Sequence, residues 1–541
     1  MSEINDTTTL PEAFARAVRG FPDAPFLAVP RNPERAYLPG GYEITYARAG
    51  EAIAELAGAY RAAGYGVGHR VATLLENRPD YVLHKLALNS LGVCCVPINP
   101  DYRAGEIAYL LDHCKPHLLL GLESRVNQLE EGLAQSTHRP HTVVVGSGEP
   151  IPTVLGRAAG GFAPEPSTPA SILYTSGTTG RPKGCVLSHG YEVASGAWYA
   201  SLGGLVTLRP GKERIYNPLP LYHVNAAVVS LIGAILTGNC QIQPDRFSPQ
   251  RWWREVVETR ASIVHYLGIV APLLIAQAPC AEERQHEVRL GIGAGIEPQL
   301  HAAFEQRFGF PMVEVWGMTE MVRVLADNIA PREIGTRAFG RARPGIEVRV
   351  VDESDRDVPD GQPGEMLIRH SADTPRRDFF SGYLDDEAAT EAAWRGGWFH
   401  TGDTVVRAPD GMLHFMDRKK HIIRRSGENI AAAEVEALLQ SHSKVAQVAV
   451  LAVPDEVREE EVLACVVPAE GLAGDAALAR ELFAWCHERL AYYKAPGWVR
   501  FMDTLPTTGT QKIQKHQIYP GGMDPRQHPD VQDFRNRKRR A

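Results

Sequence analysis

No apolar run in the sequence approaches the roughly eighteen unbroken residues of a membrane helix, so no membrane span is expected. Paired metal-type spacing is missing as well. The eight cysteines are scattered, with Cys94 and Cys95 adjoining, Cys114, Cys185 and Cys240 alone, and no Cys-x-x-Cys pair. That usage fits a reduced compartment. The opening stretch MSEINDTTTLPEAFARAV has no charged-then-apolar secretion segment, which points to a cytoplasmic protein. No repeat at solenoid spacing occurs. Nor is there a large excess of one charge: a formal net charge of -7 gives no reason to expect a nucleic-acid partner. The one basic run, RNRKRR from Arg535 to Arg540, reads as a solvated, disordered tail.

What is present is the composition of a soluble globular protein, 44% hydrophobic and 22% charged. At 541 residues the chain exceeds what one core usually supports, so two or more domains are expected. HRVATLLENRPDYVLHKLALNSLGVCCVPIN reads as strand, turn, helix and strand, and ASIVHYLGIVAPLLIAQAP repeats the scheme. Such alternation predicts α/β layering with largely parallel sheets. The Pro- and Gly-rich pieces AAGGFAPEPSTPA and PDGQPGEMLIR read as connections. Near residue 417 the texture changes. An amphipathic helix around Glu434 to Leu439, two strands in VAQVAVLAVPDE and EVLACVVPAE, and a helix in ALARELFAWCHERL make up a small α+β unit. The expected division is a large α/β domain over 1–419 and a small α+β domain over 420–541, with a linker at Asp417 to Lys420.

The most distinctive strip is SILYTSGTTGRPKGCVLSHG, Ser171 to Gly190. Its glycines, Gly177, Gly180, Gly184 and Gly190, let backbone N–H groups turn inward together, forming the kind of nest that binds anions. Thr175, Ser176, Thr178 and Thr179 add hydroxyl donors, and Lys183 adds a mobile positive charge. A polyphosphate fits this chemistry; a plain surface loop is the other reading. The strip is not a Walker A loop, because Gly184 follows Lys183 where Ser or Thr is required.

The strip resembles the phosphate-loop signature of the AMP-forming acyl-CoA synthetase family, whose relatives include luciferases and the adenylation domains of peptide synthetases. Further segments resemble that family's motifs in the family's order. VWGMTE (Val315 to Glu320) is similar to its aromatic-Gly-x-Thr-Glu motif, and GGWFHTGD, ending at Asp403, to its Thr-Gly-Asp motif. DRKKHIIRRSGENIAAAEVE is similar to its hinge region, and LPTTGTQKIQK to its terminal lysine loop. The resemblance implies a large N-terminal α/β domain with layered sheets and a small mobile α+β C-terminal domain. It also implies a two-step reaction: a carboxylate attacks the α-phosphate of ATP, giving acyl-AMP and pyrophosphate, and the thiol of coenzyme A then displaces AMP.

Under that resemblance, Ser176 to Lys183 hold the β- and γ-phosphates, with Thr175 at the mouth of the loop. Thr319 serves the α-phosphate and Glu320 the Mg²⁺ ion, a hard cation suited to carboxylate and phosphate oxygens. Trp316 replaces the commoner tyrosine and offers a flat face to adenine; Gly317 and Met318 follow it. Gly293, Ala294 and Gly295 let backbone approach the purine, though GIGAGIEP departs from the family's usual wording. Asp403 anchors the ribose hydroxyls and Arg418 assists beside it. Taken without the family, VWGMTE also fits a turn into a helix, Asp403 a turn residue, and Arg418 to Lys420 a solvated charged turn.

Lys512 is the implied catalytic lysine, bridging the attacking carboxylate and the α-phosphate. Gln511 stands where the family usually has glycine. The hinge maps to Lys420, and rotation about it brings Gly427, Glu428 and Asn429 beside the coenzyme A channel. His223, Val224 and Asn225 line the acyl pocket, and Arg323 is a candidate partner for a second anionic group on the substrate. The wording resembles the carnitine/crotonobetaine-CoA ligase branch, favouring a small or medium acid. The alternative is an adenylating enzyme that loads a carrier protein, and here the carrier is expected as a separate chain because no Gly-Gly-x-Ser site follows the small domain. A third reading, a binding protein without the chemistry, is opposed by intact Lys183, Glu320, Asp403 and Lys512. A homodimer is compatible with the sequence.

Overall fold

The strand–helix–strand reading of the first segment is realised directly. Arg70–Leu74 and Cys94–Pro97 are parallel neighbours, Val71 opposite Cys95, joined through the helix Pro79–Ser90. Both strands are apolar almost throughout and buried, as parallel strands covered on both faces must be. The computed structural model describes residues 8–154, 156, 161–175, 182–268, 270–296, 298–352, 354–418, 422–506, 515, 518–519 and 524–539.

Among these residues the large N-terminal domain holds three sheets. A seven-stranded sheet runs Gly382–Tyr383, Lys183–Ser188, Pro169–Thr175, Cys94–Pro97, Arg70–Leu74, Leu118–Gly121 and His141–Val144. An eight-stranded sheet runs Met321–Ala326, Met312–Met318, Leu290–Ala294, Ile263–Leu267, Arg214–Tyr216, Cys240–Ile242, Pro25–Val29 and Tyr42–Thr45. One apolar core serves both, with Val71 and Leu118 from the first, Leu27 and Leu325 from the second, and Leu86, Tyr191 and Ile232 from helices. Inside it, the fully buried Lys85 ammonium lies 2.9 Å from the equally buried Glu192 and donates to Ser171 at 2.7 Å. Through the Lys85–Ser171 and Ser171–Glu192 hydrogen bonds the pair ties two helices to the first strand of the glycine-rich strip.

A four-stranded antiparallel sheet runs Glu347–Val351, Pro363–Arg369, Phe399–Arg407 and Leu413–Arg418. It corrects the reading of PDGQPGEMLIR as a connection. Only its first part turns, with Gly361 at φ +85°, while Met366, Leu367 and Ile368 are buried in a strand paired on both sides. The smaller C-terminal domain has its own sheet, in which the predicted strands appear as Val445–Asp455 and Glu459–Pro468, and its own apolar core around the helices Ala432–Gln440 and Ala476–Arg489.

The basic run at the end departs from expectation. Arg535–Arg537 form a short 3₁₀ turn on the small domain, Arg535 stacks over Trp498 at 4.2 Å, and the Lys538 side chain is fully buried. Carboxylates waiting in the domain, far away in sequence, recruit what composition alone marks as a solvated tail.

Among the described residues no helix is long and apolar enough to cross a membrane. A cavity of about 400 Å³ lined by Arg209, Glu213, Arg214, Ser262 and Arg289 lies where strands of the larger sheet begin. The motif residues gather at the opposite, carboxyl ends of those strands, the usual ligand side of an α/β sheet.

Candidate functional site

The glycine-rich strip folds as a hairpin. Pro169–Thr175 and Lys183–Ser188 pair antiparallel, with Thr175 opposite Lys183, so the loop between them leaves and returns at those two residues. Ser188 then caps the helix His189–Ser201 by accepting from the Tyr191 N–H at 3.1 Å. Ser176, Gly177, Thr178, Thr179 and Gly180 lie outside the described residues, so the structure places only the two ends of the expected phosphate cradle. The Lys183 ammonium sits 4.7 Å from the centre of the Tyr383 ring and 3.8 Å from Asp386.

Tyr383 is the residue that joins two motifs. Its strand pairs with the strip, Tyr383 opposite Cys185, and its hydroxyl donates to the Glu320 carboxylate at 2.8 Å. Burial and the Glu320 charge push this phenol far up, so it stays a donor. Glu320 is buried, and it shares a two-residue hairpin turn with Thr319, because Met318 pairs with Met321 across it. The segment is thus a strand–turn–strand and does not enter a helix. The Tyr191 hydroxyl fixes the turn by donating to the Thr319 carbonyl, and the Phe380 N–H donates to the Glu320 carbonyl at 3.0 Å. Lys183, over the Tyr383 ring, and Glu320, on its hydroxyl, are thereby brought together, with Thr319 adjoining Glu320 in the turn.

The residues expected on the nucleoside side lie next to it. Trp316 is buried, and its indole N–H donates to the Asp403 carboxylate at 2.8 Å across 87 residues of sequence. The Asp403 backbone N–H is itself anchored on Thr401 at 3.1 Å. Asp403 pairs in register with Arg418 on the neighbouring strand, which puts the two expected ribose residues side by side on the backbone. Gly317 is exposed beside Trp316, and Met318 half-buried.

Gly293, Ala294 and Gly295 end the strand Leu290–Ala294, and here the packing demands glycine. A Cβ at Gly293 would fall 2.1 Å from the Tyr266 carbonyl, and Gly295 has φ +87°. Glu314 holds this loop, accepting from the N–H groups of Gly295 at 2.9 Å and Ile296 at 3.2 Å and from the Tyr266 hydroxyl. Burial pushes the Glu314 carboxyl up to about 6, with those donors pulling the other way.

On the acid side, His223 and Val224 precede a π-helical stretch, Asn225–Ser230, a rare form that concentrates at functional sites. Asn225 accepts from Asn217 at 3.0 Å and pairs with the His265 ring at 2.9 Å, while the Tyr199 hydroxyl reaches the other ring nitrogen at 3.1 Å. Burial drives His265 down to about 3, so this chain is neutral and polar. Arg323 does not face the pocket as a spare cation: it pairs with Asp378, donates to the Gly345 carbonyl at 2.8 Å and lies over Trp198.

The small domain meets this wall. Tyr222 donates to Glu428 at 3.0 Å, and the His223 imidazole lies 3.4 Å from the other Glu428 oxygen. Burial pushes the Glu428 carboxyl up, but hydrogen bonds from His223, Tyr222 and Tyr493 outweigh it and hold it below the usual range. Gly427, at φ +85°, presses so closely on Leu267 that a Cβ there would come within 2.3 Å of its methyl. Nearby, the buried Lys494 ammonium bridges Glu106 of the large domain at 2.6 Å and Glu434 of the small one at 2.9 Å, and Asn99 donates to Tyr493 at 2.8 Å. Lys420, Lys512 and the Asn429 side chain lie outside what is described. Lys515 pairs with Glu436 of its own domain at 2.6 Å.

Sequence reasoning pointed to the motif residues but not to Glu314, Tyr383, Tyr222 and Asp386, which the structure sets beside the described ones. Of these, Glu314 alone carried a local signal, as a charged residue inside the apolar run PMVEVW.

Comparison with known proteins completes this picture. The model of the AMP-binding enzyme family matches residues 14–384, and that of the AMP-binding enzyme C-terminal domain matches 434–512. The crotonobetaine/carnitine–CoA ligase of Proteus mirabilis is 28% identical over 496 residues, 88% of this chain and 93% of that protein. The sulfoacetate–CoA ligase of Cupriavidus necator is 30% identical over 523 residues, 94% of this chain and 97% of that protein. A malonyl-CoA ligase solved with methylmalonyl-CoA and AMP is 28% identical, with a TM-score of 0.72 over 90% of this chain and 97% of that one. With both family models matched in order and the motif residues converging at the strand ends, the chain belongs to the AMP-binding enzyme family.

Proposed function

We propose that the protein is an ATP-dependent carboxylic acid–CoA ligase that works through an acyl-adenylate, releasing AMP and pyrophosphate. One observation carries this reading: Tyr383 and Trp316 draw Lys183, Glu320 and Asp403 from three separate motifs into one contiguous site. Relatives that span almost the whole chain are CoA ligases, which favours coenzyme A over a carrier protein as acceptor.

In the first step an anionic acid must approach a polyanionic triphosphate. Lys183 and the 176–180 loop would hold the β- and γ-phosphates, Asp403 the ribose, and the 293–295 loop and Trp316 the adenine. Lys512 would span acid and α-phosphate, offsetting charge as it builds in the transition state. Mg²⁺ fits here, because Glu320 is a buried carboxylate held by the Tyr383 hydroxyl, whose ring also carries the Lys183 ammonium of the expected phosphate cradle. A single carboxylate plus substrate phosphates is how this ion is commonly held. When bound it supplies charge neutralisation for the phosphates.

For the second step we infer a domain division at 419/420 with the hinge at Lys420. Rotation there would exchange Lys512 for the Gly427–Glu428 turn. The contacts of that turn with Tyr222, His223 and Leu267 support a posture suited to acyl transfer. The acid is small or medium in size. The eight free cysteines, seven of them buried, support a cytoplasmic location.

The test is release of AMP and pyrophosphate by the purified protein with ATP, Mg²⁺, coenzyme A and a panel of carboxylic acids. Release that depends on both acid and coenzyme A is expected. Silence across a broad panel would refute the proposal.

A further inference from the structure

The docked basic run ends on the back of the turn that faces the acid pocket. We propose that Lys538 and Arg535 are positioning residues for the acyl-transfer step, holding the Gly427–Glu428 turn through two carboxylates of the small domain. The inference rests on the ligase reading above and adds to it a role for the far C-terminus, beyond the residues matched by the family models.

Two relays lead from the tail to this turn. In the first, Lys538 lies 2.5 Å from one Glu461 oxygen, and the other Glu461 oxygen accepts from Arg425 at 2.7 Å. All three side chains are buried, at 0%, 0% and 4% exposure, so each fixes the next with little solvent to loosen it. In the second, Arg535 lies 2.9 Å from Asp455. Asp455 accepts from the N–H groups of Val457 at 3.0 Å and Arg458 at 2.9 Å, shaping the link between the two long strands. That link then grips the turn, the Ser426 N–H donating to the Arg458 carbonyl at 3.0 Å and Arg458 to the Ser426 hydroxyl at 3.3 Å.

Arg425 and Ser426 immediately precede Gly427 and Glu428. The backbone there needs holding. Ser426 has φ +51°, a left-handed conformation that a serine adopts at a cost, followed by Gly427 at φ +85°. Loosening either relay frees this turn to relax away from Leu267, Tyr222 and His223. The first half-reaction, which on the reading above uses a different small-domain face, does not depend on these contacts.

The test compares the full-length protein with Lys538→Met, Arg535→Gln, the double variant and the conservative Lys538→Arg. Pyrophosphate release with acid and ATP reads the first half-reaction, and thioester formation from supplied acyl-adenylate reads the second. In the double variant the first should stay within about twofold, while the second falls about tenfold, mainly as a raised KM for coenzyme A. Lys538→Arg should recover most of the loss. Hydrogen exchange at the 426–431 amides reads positioning without substrate and should rise in the double variant while the Ala476–Arg489 helix keeps its protection. Equal loss in both half-reactions, unchanged thioester formation, or unchanged exchange at 426–431 overturns the proposal. A wild-type protein that releases no pyrophosphate fails the ligase reading instead, and the exchange measurement still decides the positioning.

Discussion

Glu314 and Glu428 sit in two regions bordering the same cleft, and their acidities move in opposite directions. Burial raises Glu314 to about 6, whereas Glu428, also largely enclosed, is held low. The partners make the difference. Glu314 accepts from two peptide N–H groups and a phenol of its own domain, in a scaffold that stays assembled. Glu428 takes hydrogen bonds from His223 and Tyr222 across the boundary between domains and one from Tyr493 of its own domain, so the larger part of its stabilisation depends on the contact between domains. On the reading proposed above, the nucleotide region is a fixed mould and the acceptor region a contact that can be made and broken.

The largest test of that contrast removes Lys512. Lys512→Ala should lower acyl-adenylate formation by about 10²–10³-fold while largely sparing thioester formation from supplied acyl-adenylate. Rapid-quench assays of the two half-reactions separate the outcomes, and equal damage to both would contradict a moving small domain. Next comes Glu428→Gln, expected to slow the thioester step about tenfold and to leave adenylation nearly unchanged.

The Glu428 pair also has a pH signature. A carboxyl depressed in the docked state stabilises docking above its ordinary range and loses that contribution as pH falls through the depressed value. Limited proteolysis near residue 420 should therefore accelerate on acidification in the wild type and respond less in Glu428→Gln. The smallest effect is expected at Glu314. Its raised carboxyl stabilises the fold fully below about 4.5 and loses that contribution as pH rises through about 6. Glu314→Gln should flatten this interval in thermal melts, cost about 1 kcal/mol and raise the KM for ATP about twofold. A large loss of thioester formation in that variant would blur the distinction between mould and contact.

The sequence made the layered α/β architecture readable because strands such as Arg70–Leu74 and helices such as Pro79–Ser90 announce themselves by local periodicity. The motif residues were readable for a related reason: glycines, hydroxyls and a lysine close together express their chemistry without help from elsewhere. What was not readable depended on distance. The indole that engages Asp403 lies 87 residues away, and Tyr222 reaches Glu428 across 206. Neither pairing leaves a trace in local composition. The tail was misread on the same ground, since RNRKRR is a solvated run until Asp455 and Glu461 are placed opposite it. PDGQPGEMLIR failed differently, because its breakers punctuate only its front half while the strand behind them is set by two neighbours.

The backbone rung between Asp403 and Arg418 has a mechanical consequence. Arg418 closes the last described strand before the segment proposed as the pivot, and that strand end is laced beside the carboxylate proposed to bind the sugar. Torque from a swinging C-terminal lobe would be felt first at this rung, and a seated nucleoside would stiffen it. On the proposed reading, occupancy of the cleft and freedom of the lobe would thus be gauged by a single pair of residues.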